Sequence, residues 1–157
     1  MLHLPTVLSL SFILNLLIGL FFLSVYKAKK QTSFLLFGIA CITFVAAELV
    51  VGLKLIIDAP FITRYLANIL IILSPTLVII GLHKYKHSKP LNLVSIYYFL
   101  GFAALTLFPI YKYPAGQMLT SFIISLLYLY SAHIIKSINF IATLQKKRSL
   151  YVFQFTA

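Results

Sequence analysis

The chain has 157 residues, of which 62% are hydrophobic and only 10% are Asp, Glu, Lys or Arg. Water-soluble proteins carry about a quarter charged residues, so this composition excludes a soluble domain and indicates that lipid is the solvent. The formal net charge is +11, but the basic residues lie in short clusters between long apolar runs and form no continuous basic face. This pattern argues against nucleic acid as a partner and is typical of charges that flank membrane spans.

Five apolar segments are long enough to cross a membrane as helices, since a hydrocarbon core of about 30 Å requires roughly 20 residues. In chain order they cover approximately residues 4–26, 33–57, 62–82, 91–111 and 117–135. The loops between them are short, so successive helices should be antiparallel neighbours. The sequence therefore predicts an all-α, polytopic transmembrane helix bundle of about five spans within residues 1–148.

The basic residues predict the orientation of this bundle, because cytoplasmic loops are enriched in Lys and Arg. Ten of them follow the first, third and fifth predicted spans: Lys27, Lys29, Lys30, Lys84, Lys86, Lys89, Lys136, Lys146, Lys147 and Arg148. The other three, Lys54, Arg64 and Lys112, belong to the opposite side. We therefore predict a multi-pass protein with its N-terminus outside and the segment after the fifth span in the cytoplasm.

The end of the sequence turns apolar again after its last basic cluster. Residues 149–157 could reach only about 14 Å as a helix, less than half a bilayer. Two interpretations stand at this stage. The segment is either the start of a truncated sixth span or an amphipathic tail that lies on the membrane surface.

Glu48, in the second predicted span, is the first candidate functional residue. An ionisable group at membrane depth is costly and usually faces protein or a water-filled cavity. Glu48 shares one helical stripe with Gly38, Cys41, Val45 and Gly52, at spacings of three and four residues. Small residues on such a stripe let another helix approach closely, so Glu48 should point into the bundle. It is either a ligand-sensing or proton-sensing carboxyl or a hydrogen-bonding group that holds helices together.

Two amide side chains in other spans extend this candidate site. Asn15 shares a face of the first span with Gly19, and Asn68 lies near the start of the third span. Such groups commonly form hydrogen bonds between helices. The alternative is a small-molecule pocket lined by Asn15, Glu48 and Asn68, which requires the three helix faces to converge.

The sequence contains no motif for catalysis, and only two of its residues are acidic. Paired carboxylates, a phosphate-binding glycine loop, a nucleophile elbow and a zinc-protease helix are all absent from the sequence. We therefore expect a protein that is not an enzyme and that has no catalytic residue, no metal and no cofactor.

Five short motifs make the chain resemble the membrane-embedded N-terminal input region of bacterial GGDEF-type diguanylate cyclases. They are residues 4–6 (Leu-Pro-Thr), 14–17 (Leu-Asn-Leu-Leu), the basic turn 27–30, 66–70 (Leu-Ala-Asn-Ile-Leu) and 81–85 (Gly-Leu-His-Lys-Tyr). The resemblance implies a bacterial inner-membrane location. It also implies an odd number of spans, with the N-terminus outside, because the family's catalytic domain makes cyclic di-GMP in the cytoplasm. That domain is not part of this sequence. The resemblance favours the truncated-sixth-span interpretation of residues 149–157.

These observations together predict a membrane-embedded sensory or signal-transducing module without its own catalysis. Its expected partners are the lipid bilayer and either a second copy of the chain or a cytoplasmic signalling protein. One alternative is a small transporter or channel component, in which Glu48 and Asn68 line a permeation path. Another is a structural subunit of a larger membrane complex, in which the polar stripe recruits partner helices.

Overall fold

The computed structural model describes the backbone of residues 4–56, 59–87 and 93–155. It describes the side chains in these ranges except those of residues 4, 5, 8, 55, 87, 93, 95 and 139–155. Every element in this part of the chain is helical, which confirms the all-α fold class. The elements are α1 (Leu4–Lys29), α2 (Thr32–Gly52), a 3-10 turn (Leu53–Leu55), a π-helical segment (Phe61–Leu66), α3 (Ala67–His87), α4 (Leu93–Leu107) and α5 (Pro114–Phe155).

Four of these helices are long and apolar enough to cross a membrane. Their apolar stretches are Ser9–Lys29, Thr32–Gly52, Phe61–Lys86 and Pro114–Ile138. By length and composition they correspond to four of the five predicted spans. The remaining predicted span, 91–111, coincides with α4, which has 15 residues. At 1.5 Å per residue, α4 is only about 22 Å long, shorter than a hydrocarbon core, so a fifth complete span stays a prediction.

A two-residue turn joins α1 to α2 and makes them antiparallel. Lys30 adopts the left-handed conformation, with φ of 55°, and its backbone N–H donates to the carbonyl O of Tyr26 over 2.7 Å. This is the usual way to satisfy a free carbonyl at the end of a helix, although glycine is the preferred residue there.

Helix α2 lies between α1 and α3 and packs most extensively against α3. Two glycines make close approach possible. A Cβ on Gly38 would lie 2.8 Å from Cγ and Cδ2 of Leu23, and one on Gly81 would lie 2.5 Å from Cε1 of Phe37. Between helices in lipid, packing contacts of this kind replace the hydrophobic effect as the source of stability. The small residues therefore determine which faces meet.

Helix α5 packs against α3, and the two helices run in the same direction. At one end, Nη1 of Arg64 donates to the carbonyl O of Lys112, just before α5, over 2.7 Å. At the other end, Nζ of Lys86 lies 2.8 Å from Oγ of Ser137. The contact nearer the start of α3 is also the contact nearer the start of α5, so the two helices are parallel. Helix α4 returns the chain between them.

A small apolar core fills the space among α3, α4 and α5. Its buried members are Ile72, Ala103 and Leu107. Tyr65 lies beside this core and donates its hydroxyl to the carbonyl O of Ala104 over 3.3 Å. The core therefore holds α4 against the pair formed by α3 and α5.

Helix α5 extends well beyond the predicted fifth span, which ended at residue 135. It has 42 residues, so at 1.5 Å per residue it is about 63 Å long, roughly twice the hydrocarbon thickness. The backbone continues without a break through the basic cluster to Phe155. Residues 149–155 thus continue α5, and residues 156 and 157 lie outside the described part. A separate sixth span stays a prediction.

Described members of three predicted basic clusters, Lys29, Lys86 and Lys136, lie at the same end of the bundle, whereas Lys89 lies outside the described residues. Lys29 lies over the ring of Phe34 with Nζ 5.9 Å from its centroid, and the ring of Phe34 contacts that of Tyr85 at 6.5 Å. Tyr85 neighbours Lys86, which contacts α5 just after Lys136. We call this the basic end. Its placement in the cytoplasm stays a prediction.

Candidate functional site

Glu48 carries a carboxyl oxygen that is buried in the bundle without a hydrogen-bond partner. The side chain as a whole is half-buried on α2. Its Oε2 is inaccessible, and the described residues provide no donor to it. A buried polar atom without a partner typically costs about 1–3 kcal/mol. Among the described residues, this oxygen of Glu48 therefore forms no hydrogen bond that holds helices together.

Asn15 is half-buried on α1 and uses its amide within its own helix. Its Nδ2 donates to the carbonyl O of Ser11 over 2.9 Å and lies 3.3 Å from Ser11 Oγ. These contacts orient the amide along the helix, one turn towards the N-terminus. The amide oxygen is not involved in them and is an acceptor available to a neighbour.

Asn68 lies at the second residue of α3 and is buried, with 9% of its surface exposed. The π-helical segment Phe61–Leu66 leads directly into this turn. Segments of π-helix often occur at functional sites. At its start the carbonyl O of Ala59 accepts from the backbone N–H groups of Ile62 and Thr63, both over 3.0 Å.

The contact between α1 and α2 shows which faces of these helices meet. A Cβ built on Gly19 would lie 3.1 Å from the Cβ of Cys41 and 3.4 Å from the carbonyl O of Gly38. The predicted small-residue stripe therefore faces α1. Because the helices are antiparallel, Asn15 lies one turn from this contact on α1, and Glu48 lies two turns from it on α2.

An aromatic cluster at the basic end marks one side of the bundle. The rings of Phe22 on α1 and Phe37 on α2 have centroids 5.4 Å apart. Phe34 stacks on Phe22 at 6.3 Å and contacts Tyr85 of α3. Leu82 of α3 lines the same space as Phe37. This cluster lies where α1, α2 and α3 meet.

The three polar candidates share helix faces with members of this cluster. On α1, Asn15 lies seven residues before Phe22. On α2, Glu48 lies eleven residues after Phe37. On α3, Asn68 lies fourteen residues before Leu82. At 100° per residue these offsets depart from whole turns by at most about 40°. By this spacing all three residues lie on the cluster side of their own helices, and we refer to the set as the polar groove.

This polar groove, defined by Asn15, Glu48 and Asn68, is a ladder and not a compact pocket. At 1.5 Å per residue the three positions lie about 10, 16 and 21 Å from the aromatic cluster along the helices. No hydrogen bond joins any two of them in the part of the chain that the structure describes. The groove offers one carboxyl and two amides for hydrogen bonding or proton uptake.

Sequence reasoning missed a second feature, an apolar cavity of about 240 Å³ at the basic end. Its lining combines side chains from α2, α3 and α5: Phe34, Phe37, Leu82, Tyr85, Ile135 and Ile138. In the sequence, each of these residues is of a type that is common in transmembrane helices, so none indicates a cavity. Their convergence depends on the parallel packing of α5 on α3, which no local pattern encodes.

Compared with known proteins, the chain matches no family model, no curated protein and no solved structure. The resemblance to the input region of GGDEF-type diguanylate cyclases therefore rests on the five short motifs alone.

Proposed function

We propose that this chain is a membrane-embedded sensory or signal-transducing module. The observation that carries the proposal is the continuity of α5 from Pro114 to Phe155. A helix about twice as long as the hydrocarbon core is thick joins the membrane-embedded bundle to a basic segment beyond it. A rigid helix of this kind transmits rotation or translation of the bundle to whatever it contacts outside the membrane.

The packing order supports a route from the polar groove to α5. Glu48 lies on α2, which packs most extensively on α3, and α3 packs along α5. Asn68 is part of α3 itself. A change in the protonation or occupancy of Glu48 would thus act on neighbours of α5 through contacts between close-packed helices, which favour discrete arrangements over continuous deformation.

The unpartnered oxygen of Glu48 supports the groove as the input. A group that is costly in one state and satisfied in another biases a two-state equilibrium when its partner binds. A small polar or cationic ligand, or a proton, would supply that partner. In this proposal the chain senses and couples, and the output belongs to a cytoplasmic partner or to a second copy.

Amide hydrogen exchange on the full chain in lipid nanodiscs tests this coupling. Glu48→Gln replaces the carboxyl of the groove with an amide and retains the side chain's size. We expect it to change exchange severalfold in residues 139–155 of α5, far from the substitution. The matched control is Thr43→Gln, because Thr43 lies about 140° around α2 from Glu48 and donates only to Ile39 of its own helix.

An unchanged α5 in the Glu48→Gln variant would contradict the sensory proposal. So would flux of small solutes through wild-type protein in liposomes that Glu48→Gln abolishes, since that result favours a transporter or channel component. Sequencing of the coding DNA beyond codon 157 tests the cyclase form separately. An in-frame Gly-Gly-Asp/Glu-Glu-Phe motif supports it, and a stop codon contradicts it.

A further inference from the structure

The apolar cavity at the basic end opens to the surface of the bundle. Two of its lining residues are about half exposed, Tyr85 at 49% and Ile135 at 46%. A methylene group occupies about as much space as a water molecule, about 30 Å³ in the liquid. The cavity volume of about 240 Å³ therefore accommodates roughly eight methylene groups, a substantial stretch of one acyl chain.

Two lysine side chains lie close to residues that line this cavity. Nζ of Lys29 lies 5.9 Å from the ring centroid of Phe34, a lining residue. Nζ of Lys86 donates a hydrogen bond to Oγ of Ser137, which directly precedes the lining residue Ile138. The ammonium groups thus lie at the rim, where the apolar wall ends.

The protein itself provides almost no negative charge for these lysines. The sequence has 13 basic residues and only two acidic ones, Glu48 and Asp58. Glu48 lies eleven residues along α2 from Phe37, about 16 Å away by helical rise, and Asp58 lies outside the described residues. Among the described residues, none supplies a carboxylate to the rim, so an anion from outside the chain can provide the counter-charge.

We propose that the cavity and its rim bind one anionic phospholipid. One acyl chain fills the space lined by Phe37 and Leu82, and the phosphate lies between the ammonium groups of Lys29 and Lys86. A single occupant thereby satisfies both the apolar wall and the unbalanced charge. A zwitterionic lipid also brings a phosphate, but its own cationic group cancels that charge and leaves the lysines without net compensation. The site lies apart from the polar groove and does not depend on the sensory proposal.

Lipid selectivity of the full chain in nanodiscs tests this proposal. The protein is reconstituted in equal amounts of dioleoylphosphatidylglycerol and dioleoylphosphatidylcholine, and the lipids it retains after extraction are measured by native mass spectrometry. Each lysine near an anionic headgroup contributes about fivefold to affinity. We expect strong enrichment of phosphatidylglycerol, reduced roughly thirtyfold in a Lys29→Gln, Lys86→Gln double variant.

Lys112→Gln is the matched control. Nζ of Lys112 also lies 5.9 Å from an aromatic centroid, that of Tyr111, but at the opposite end of the bundle. The Lys112→Gln variant removes a charge in the same local geometry but away from the cavity, so the enrichment of phosphatidylglycerol should persist. An equal loss of enrichment in this variant would overturn the proposal in favour of diffuse attraction to the membrane surface.

A second variant tests the acyl-chain half of the site. Ile135→Trp adds bulk to the cavity wall at a half-exposed position and leaves both lysines in place. It should lower retention of phosphatidylglycerol severalfold with unchanged thermal stability of the lipid-free protein. Unchanged retention would overturn the cavity assignment. Glycerol 1-phosphate carries the charge without an acyl chain. If it raised the thermal stability of detergent-solubilised protein as much as phosphatidylglycerol does, the cavity assignment would also be overturned.

Discussion

The guanidinium of Arg64 donates a hydrogen bond over 2.7 Å to the backbone carbonyl of Lys112, 48 positions later in the chain. This contact ties the π-helical start of the third span to the turn before α5. It lies at the end of the bundle opposite to the cavity. The relative position of α3 and α5 is thereby held at both ends, here and at the contact between Lys86 and Ser137.

The first prediction concerns this contact. Arg64→Ala should raise amide exchange in residues 108–116 about fivefold, because a partly exposed hydrogen bond to a charged donor contributes about 1 kcal/mol locally. Hydrogen exchange with mass spectrometry measures the change. Lys112→Ala serves as control, since it retains the backbone carbonyl that accepts the bond. Equal exchange in both variants would show that the contact contributes nothing to the turn.

The second prediction concerns the approach of α2 to α3. Gly81→Ala places a Cβ 2.5 Å from Phe37 Cε1, so the ring has to move. Overpacking of this kind costs about 1–3 kcal/mol, and thermal unfolding in nanodiscs should show a lower midpoint. Gly101→Ala is the control, because a Cβ there meets nothing within 4 Å and helix propensity alone should stabilise it slightly. Phe37→Leu in the Gly81→Ala background should restore part of the loss.

A third prediction follows from the buried oxygen of Glu48. Glu48→Leu should raise the free energy of unfolding by about 1–3 kcal/mol, since it removes an unpartnered buried polar atom. Glu48→Gln retains a polar oxygen at the same place, so its free energy of unfolding should rise less. Equilibrium unfolding in lipid measures both. Loss of stability in the leucine variant would instead support the alternative in which the carboxyl holds two helices together.

The fourth prediction concerns the left-handed residue between α1 and α2. Lys30 has φ of 55°, a conformation that costs a residue with a Cβ about 1–2 kcal/mol. Lys30→Gly should raise stability by about 0.5–1 kcal/mol after the greater entropy of glycine in the unfolded chain is included. Lys30→Gln removes the same charge and keeps the Cβ, so it should give no gain. Identical midpoints for the two variants would contradict the assignment of strain to the backbone.

The helix face that carries Glu48 could be predicted from sequence because it depends on helical periodicity alone. The stripe that contains Glu48 and Gly38 was predicted to meet another helix, and in the structure Gly38 contacts Leu23 of α1. Which helix would meet it was not predictable, since several spans carry small residues on one face. Periodicity also could not reveal that the carboxyl oxygen lacks a donor, because that depends on the positions of individual atoms in neighbouring helices.

The all-helical class, the approximate limits of the long apolar helices and the clustering of positive charge can all be derived from the sequence alone. Hydrophobic length and charge are summed along the chain, and lipid requires every backbone group to be bonded within its own helix. Three features emerge only in the folded protein: α3 and α5 are parallel neighbours, α5 runs unbroken to Phe155, and an apolar cavity adjoins Lys29 and Lys86. These features arise from contacts between residues far apart in sequence, such as Phe34 with Tyr85, and no local pattern specifies which distant faces will fit.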